Sequence, residues 1–347
     1  MTEPSGENAV LTAQCQCKDL HFTLTVPSSL LPLRGHICHC SVCRWTHGTP
    51  CIFNAPIPAG IAPQFVPPSR LERLTPYTFP GSNCVRYFCS RCGCHMGDVG
   101  PHDGKWCLAT SLFPGGQAVF ASRTHVYTKS AAPGSGAGGL FKYIPRIGDN
   151  ELGTWNPSDS SELLAKPIPV EPGPDGRERL GARCHCGGVS FTLPRPTEET
   201  LNNDVMKKLV SPVDSTKWIA RLDLSHESRL TSGAFVSAWV AVPLALYEPA
   251  IGPGLSVGGS KTYTSSSPAE VRSFCGTCGA TVFRMYQQKL LDGSQDVVDV
   301  SVGILRAPGG VLAEDWLTWN FDLVEGLQDG LVADEELARS LVDGLST

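Results

Sequence analysis

Gln14-Cys15-Gln16-Cys17-Lys18-Asp19-Leu20-His21-Phe22-Thr23-Leu24 returns further along the chain as Arg183-Cys184-His185-Cys186-Gly187-Gly188-Val189-Ser190-Phe191-Thr192-Leu193. Each copy is a Cys-x-Cys pair followed by strand-like sequence, and from Leu20 to Val26 apolar and polar residues alternate with the period of a half-buried strand. A second match follows in the same order: Arg86-Tyr87-Phe88-Cys89-Ser90-Arg91-Cys92-Gly93 and Arg272-Ser273-Phe274-Cys275-Gly276-Thr277-Cys278-Gly279. Between them Arg44-Trp45-Thr46-His47-Gly48 lines up with Arg229-Leu230-Thr231-Ser232-Gly233. An apolar run ending in proline follows in each case, residues 50–58 and 234–243. Matches that keep one order read as a tandem repeat.

The offset between copies is longer for the Cys-x-x-Cys pair than for the Cys-x-Cys pair, so the second copy carries extra residues around 197–218. Within them Val205-Met206-Lys207-Lys208-Leu209-Val210 reads as a short helix. Residues 131–179 are rich in Gly, Pro and Ser and read as a linker, with Phe141, Tyr143, Ile144 and Trp155 as apolar anchors in its middle. Leu337, Leu341, Val342 and Leu345 have helical spacing and predict a terminal helix over residues 333–345. The division that results is a first domain at 11–130, a linker at 131–179, a second domain at 180–325 and a helical tail at 326–347. The apolar runs at 50–58 and 235–242 and the alternation at 297–302 add strands, so the fold class is mainly β.

With 347 residues the chain is long enough for two domains, each with a core. The net charge is -5 and no run of Lys or Arg stands out, which argues against a nucleic-acid partner. Gly (36) and Pro (28) are frequent while charged residues make up 18%, a balance that suits turn-rich sheet. Residues 1–14 have neither the basic nor the apolar region of a signal peptide, and no stretch approaches the length of a membrane span. The expectation is a cytoplasmic protein, with the nucleus as the alternative. Thiols stay reduced in those compartments, so clustered Cys read as metal ligands. The count of 15 Cys is odd, and disulfides cannot pair them all within the chain.

Cys15 and Cys17 open the first copy, and Cys89 and Cys92 come near its end. Two short pairs from distant segments make a tetrahedral four-thiolate zinc cage. Cys184, Cys186, Cys275 and Cys278 repeat it. The competing reading of either quartet is buried structural thiols or disulfides. Cys38-His39-Cys40-Ser41-Val42-Cys43 occurs once. Three thiols with a vacant fourth position are the pattern of a reactive zinc. Cys51, Cys94 or His39 as a fourth ligand would instead close it as a structural site. In the second copy Asp223, Ser225 and Ser228 stand at the places of Cys38, Cys40 and Cys43. Serine is a poor zinc ligand, so the expectation there is a solvated turn without metal, with Asp223 and His226 as the remaining polar groups.

The order Cys-x-Cys, then Cys-x-Cys-x-x-Cys-Arg, then Phe-Cys-x-x-Cys-Gly resembles the glutathione-dependent formaldehyde-activating enzyme family, also called the centromere protein V/GFA family. The resemblance covers residues 13–128 well and 182–320 in degenerate form. It implies two tandem zinc-stapled domains of packed, twisted sheets like those of the Mss4 superfamily, and carbon–sulfur lyase chemistry. It further implies structural zinc at Cys15, Cys17, Cys89 and Cys92, catalytic zinc at Cys38, Cys40 and Cys43, and a structural zinc alone at Cys184, Cys186, Cys275 and Cys278. That makes about three zinc ions per chain. The implied substrates are a thiol such as glutathione and an aldehyde-type or thioether compound.

The reaction expected is the making or breaking of a C–S bond. The candidate acid/base groups are His36, His39 and His47 beside the trio and His95 after the second pair, and Arg44 is the candidate for a substrate carboxylate or for an acid of the protein. Cys84 and Cys107 read as small buried hydrophobes. Two other classes fit the same residues: a non-catalytic zinc module, and an enzyme of secondary metabolism on a thiol adduct with its pocket shaped by 197–218.

Overall fold

Leu20, Phe22, Leu24 and Val26 are fully buried while the residues between them are not, so His21–Pro27 lays one face on the core. This strand pairs antiparallel with Asn8–Gln14, from Asn8 opposite Pro27 to Gln14 opposite His21. In the computed structural model, residues 7–100, 103–131, 139–157, 170–173, 176–265, 270–286 and 297–346 are described. The glycine- and proline-rich stretches 132–138 and 158–169 of the expected linker lie outside them.

The hairpin packs on an eight-stranded sheet, in the order Leu74–Tyr77, Val85–Cys89, His95–Val99, Trp106–Ala109, Ile52–Pro56, Leu33–Cys38, Phe120–Val126 and Gly153–Trp155. The second half repeats the plan. Glu178–Arg183 and Ser190–Pro194 form its hairpin. Its seven-stranded sheet runs Ser260–Thr264, Glu270–Cys275, Thr281–Tyr286, Val297–Ser301, Ser237–Pro243, Trp218–Asp223 and Leu317–Trp319. Strand for strand the orders agree, including a parallel neighbour beside Leu33–Cys38 and beside Trp218–Asp223. The first sheet differs by its eighth strand, Gly153–Trp155, which comes from the middle of the linker. Leu140, Ile144 and Ile147 of that region are buried as well. The linker's middle is therefore part of the first half's sheet and core.

The halves touch through reciprocal contacts. Gln16 N–H donates to the Leu230 carbonyl, and His185 N–H donates to the Trp45 carbonyl, each at 3.0 Å. Gly48 lies so close to Thr281 that a Cβ would stand 2.2 Å from its carbonyl oxygen, and Gly233 lies against His95 with a corresponding 2.4 Å. Both glycines end short helices in the left-handed region, Ser41–His47 and His226–Ser232. One continuous apolar core runs through both halves.

The tail is two helices, Leu327–Ala333 and Glu335–Leu345. The helix expected from residue 333 begins later because Asp334 caps it, accepting from Leu337 N–H at 3.0 Å. Leu337, Ala338 and Leu341 enter the core, and Gly148 N–H donates to Ser340 Oγ, so the tail packs on the linker region. In the extra segment of the second half the helical turn is Met206–Leu209, preceded by Glu198–Asn202. A small cavity between the halves is lined by Phe53, Phe113, Arg229, Phe235 and Asp334, and no residue of 197–218 lines it. No helix among the described residues is long and apolar enough to cross a membrane.

Candidate metal centre

Cys15 and Cys17 follow the first strand, and Cys89 ends another whose turn carries Cys92 and the left-handed Gly93. The four sulfurs lie within 4.8 Å of one another. Cys15 and Cys17 are 3.5 Å apart, and Cys17 and Cys89 are 3.4 Å apart. These separations are far longer than a disulfide, about 2.05 Å. They are close to the ~3.8 Å edge of a tetrahedron with zinc–sulfur bonds of about 2.3 Å. Cys184, Cys186, Cys275 and Cys278 form the same group, with 3.5 Å between Cys184 and Cys186 and between Cys186 and Cys275. Backbone N–H groups of Leu20 and Val189 point at Cys15 and Cys184, at 3.4 and 3.3 Å. Both quartets fit a four-coordinate zinc, and every Cys is a free thiol.

The trio is built by a strand end and a helix start. Cys38 closes Leu33–Cys38, and Cys40 is the N-cap of Ser41–His47, its sulfur accepting from Cys43 N–H at 3.3 Å. The sulfurs of Cys38, Cys40 and Cys43 lie within 4.8 Å of one another, and no fourth His, Cys, Asp or Glu atom among the described residues joins them. Cys38 and Cys40 are buried, while Cys43 is partly open. Hydrogen bonds from the Cys38 and Cys43 thiols hold the Cys40 thiol well below its ordinary range. Phe79 and Tyr127 pack against the apolar cluster that Cys38 and Cys40 form with Val42, Ile52 and Val126. Cys51 and Cys94 stay outside the cluster as buried thiols, pushed up in pKa by burial.

Cross-strand pairing places a polar face around these sulfurs. Arg86 pairs with Asp98, Asp98 with Cys107, and Cys107 with Pro56. Asn54, two residues from Pro56, pairs with His36, two residues from Cys38. Side chains two apart on a strand, or opposite on neighbours, share a face. His36, Cys38, Asn54, Cys107, Asp98 and Arg86 therefore line one side of the sheet. Burial pushes the Asp98 carboxyl up to about 6, against the pull of Arg86. Burial works against the Arg86 charge, but Cys43, Cys84 and Asp98 outweigh it and raise its pKa. Burial pushes the His36 imidazole down.

The other residues singled out from sequence point elsewhere. His39 Nε2 is 2.9 Å from His125 Nδ1, and His125 Nε2 donates to the Ile144 carbonyl at 2.8 Å. His47 Nδ1 donates to the Cys43 carbonyl at 3.0 Å, and its ring stacks on His95 at 3.7 Å. Arg44 Nε and Nη2 donate to the carbonyls of His39 and Ser130 at 3.0 and 2.9 Å, so it clamps the loop around the trio. Nothing in their residue types or local spacing marks Asp98, Arg86, Phe79 or Tyr127 as neighbours of the trio. Aligning the two halves on their matched motifs holds a signal for the first two: it sets Asp98 at the place of Arg284 and Arg86 at the place of Arg272.

The counterpart in the second half is not the solvated turn expected. Asp223 ends its strand and Ser225 caps its helix as Cys38 and Cys40 do, but Asp223 is fully buried. Arg284 Nη1 donates to Asp223 Oδ2 at 2.6 Å and Nε to Asp299 Oδ2 at 2.9 Å, while Nη2 pairs with Glu325. Arg221 pairs with Asp299 at 2.6 Å and also with Glu325. Arg272 Nη2 donates to Ser228 Oγ and to Glu270, each at 2.9 Å. Burial opposes the Asp223 charge, yet Arg284 and the Ser228 hydroxyl hold its pKa below the carboxylate range. A guanidinium supplies positive charge where the first half presents three thiols. His226 stays on the helix start, its N–H donating to Asp329 at 2.9 Å.

Residues 10–130 match the model of the family described as glutathione-dependent formaldehyde-activating enzyme. This stretch of the chain is a domain of that type. No curated protein matches the chain.

Proposed function

We propose that the first half catalyses the joining and separation of a thiol and a carbonyl carbon, with Cys38, Cys40 and Cys43 as its metal ligands. The second half, beyond a junction at 131–179, is on this reading a copy of the same domain that has exchanged its reactive site for an ion cluster. The observation that carries the proposal is a set of three converging thiols that no fourth His, Cys, Asp or Glu among the described residues joins, on a face with Arg86 and Asp98. The family model over 10–130 supports glutathione as the thiol and formaldehyde as the aldehyde.

Zinc, when bound, would supply Lewis acidity and hold a thiol in its anionic form. Phe79 and Tyr127 border the cluster with apolar surface. The substrate sulfur attacks the carbonyl carbon; the C–S bond forms as the C=O π pair moves to oxygen. That oxygen takes a proton from Asp98, and the proton released by the thiol restores Asp98. The product is the hemithioacetal, an S-hydroxyalkyl thioether, and the reverse path uses Asp98 as base. A carboxyl with a pKa of about 6 suits both directions near neutral pH.

The test is elemental analysis with an adduct assay by NMR. Wild-type chain purified under reducing conditions should hold about three zinc ions, one per thiol cluster. Cys40→Ser should hold about two and form no adduct above the uncatalysed rate. Full activity in Cys40→Ser would sink the proposal. Two zinc ions in wild type, unchanged on zinc add-back, would point to a non-catalytic module.

A further inference from the structure

We infer that Arg86 is the anchor for a carboxylate carried by the thiol substrate, and so sets which thiols the site accepts. The inference rests on the reading of the trio as a thiol site. The two halves share this arginine and use it differently.

Arg86 and Arg272 hold the same place: three residues before the first Cys of the Cys-x-x-Cys pair, opposite Asp98 in one sheet and Arg284 in the other. Arg272 is neutralised by Glu270 at 2.9 Å, and reaches Ser228, the residue at the place of Cys43, at the same distance. In the first half the residue at Glu270's place is Cys84. Among the described residues no carboxylate oxygen lies within 4.0 Å of the Arg86 guanidinium. Its contacts are Ser82 Oγ at 3.5 Å and the face of Phe79, whose centroid is 5.6 Å away. Phe79 in turn packs on the apolar cluster that holds Cys38 and Cys40, and its other neighbours are Tyr77 and His185 of the second half, the latter at 4.5 Å. His185 is fixed by Tyr77 Oη, 2.6 Å from its Nδ1.

Arg86 is thus a half-buried cation beside the thiols, backed by an aromatic shelf and lacking the carboxylate its counterpart has. A guanidinium in that setting receives a planar anion in two parallel hydrogen bonds. Arg44 does not compete for this role, since two of its nitrogens are held by carbonyls. The shelf also gives the second half a part in the site, because His185 reaches it from the opposite half.

The test compares two small thiols, 3-mercaptopropionate and 2-mercaptoethanol, which differ in bearing a carboxylate or a hydroxyl. Each is titrated into the full-length cobalt-loaded chain while the cobalt absorption that Cys40→Ser lacks is followed. In Arg86→Gln the preference for 3-mercaptopropionate should fall by about tenfold relative to wild type, a ratio that cancels the difference in thiol acidity. Arg86→Lys should keep part of it, having charge without the planar fork. An unchanged preference in Arg86→Gln, with the cobalt bands of both quartets intact, overturns the assignment. If neither thiol perturbs the wild-type spectrum, the trio is not a thiol site and the inference falls with that reading.

Discussion

At the end of Leu33–Cys38 and at the end of Trp218–Asp223 the chain makes the same move, from strand through a short step into a capped helix that stops on a left-handed glycine. In the first half the side chains at that step are thiols, and the face beyond them holds His36, Asn54, Cys107, Asp98 and Arg86. In the second half the same positions hold Arg221, Trp239, Asp299, Arg284 and Arg272 around Asp223. One frame tolerates both because the backbone needs only a cap and a glycine there, and Cys40 and Ser225 both cap. The side chains are left to solve a charge problem. Three thiolates call for a cation, which a metal held by Cys38, Cys40 and Cys43 would supply; a buried aspartate calls for one too, and Arg284 supplies it. Oxygen donors with a resident guanidinium have no need of a metal, whereas the thiols have Asp98 in place of Arg284, with Arg86 as the cation on their face.

The largest effects should test what the halves share. Cys92→Ser and Cys278→Ser each remove a ligand from a closed quartet, whose metal contributes on the order of 10 kcal/mol to folding. That rivals the whole stability of a domain, about 5–15 kcal/mol. Both variants should fail to give a cooperative urea transition. A well-folded Cys278→Ser chain with one zinc fewer would break the symmetry of the comparison.

Next come the residues that differ. Arg284→Met leaves Asp223 and Asp299 buried beside Trp239 without their main partner, and should lose about 3–5 kcal/mol in urea denaturation. Asp98→Asn, at the same place in the first half, should change stability by less than about 1 kcal/mol and slow adduct formation about a hundredfold or more. Equal destabilisation by the two would mean that the first face is a structural network as well.

The reciprocal glycines offer a matched pair. Gly48→Ala and Gly233→Ala each force a left-handed residue and a backbone clash across the interface, and each should cost about 2–3 kcal/mol. A loss in one alone would show that the two contacts are not equivalent in energy.

The smallest effect is a pH dependence. His95 is buried and burial lowers its pKa to about 3, against 6.5 for a free imidazole. Between those values the unfolded chain binds a proton that the folded chain does not, so this site's stability is full above about pH 6.5 and is lost as pH falls. At pH 5 the loss is ~2 kcal/mol. His95→Gln should remove about that share of the stability lost between pH 7 and 5, at unchanged zinc content, while buried His39 and His47, lowered the same way, keep theirs; an equally steep profile would place the effect elsewhere.

The cysteine pairs and the strand alternation at Leu20–Val26 made the sheet class and the thiol clusters legible in sequence, because a metal ligand is marked by its own residue type and spacing. The eighth strand, Gly153–Trp155, was not legible: it is too short for a period, and its neighbour Phe120–Val126 decides it. Nor was the ion cluster, whose members are scattered from Arg221 to Glu325 and gain meaning only when the sheet brings them to one face. Asp98 and Arg86 fall between these cases. Each is an ordinary surface type in sequence, and only the register of paired strands sets them beside the sulfurs.

The reciprocal contacts across Gly48 and Gly233 are those of a symmetric pair of subunits, made here within one chain. Two separate chains would meet with an affinity that fails on dilution, whereas tethered halves see each other at an effective concentration on the order of millimolar whatever the amount of protein. Mass action then no longer selects for identical partners. One half can give up its thiols and the other keep them, with the ratio of the two held at one to one in every molecule.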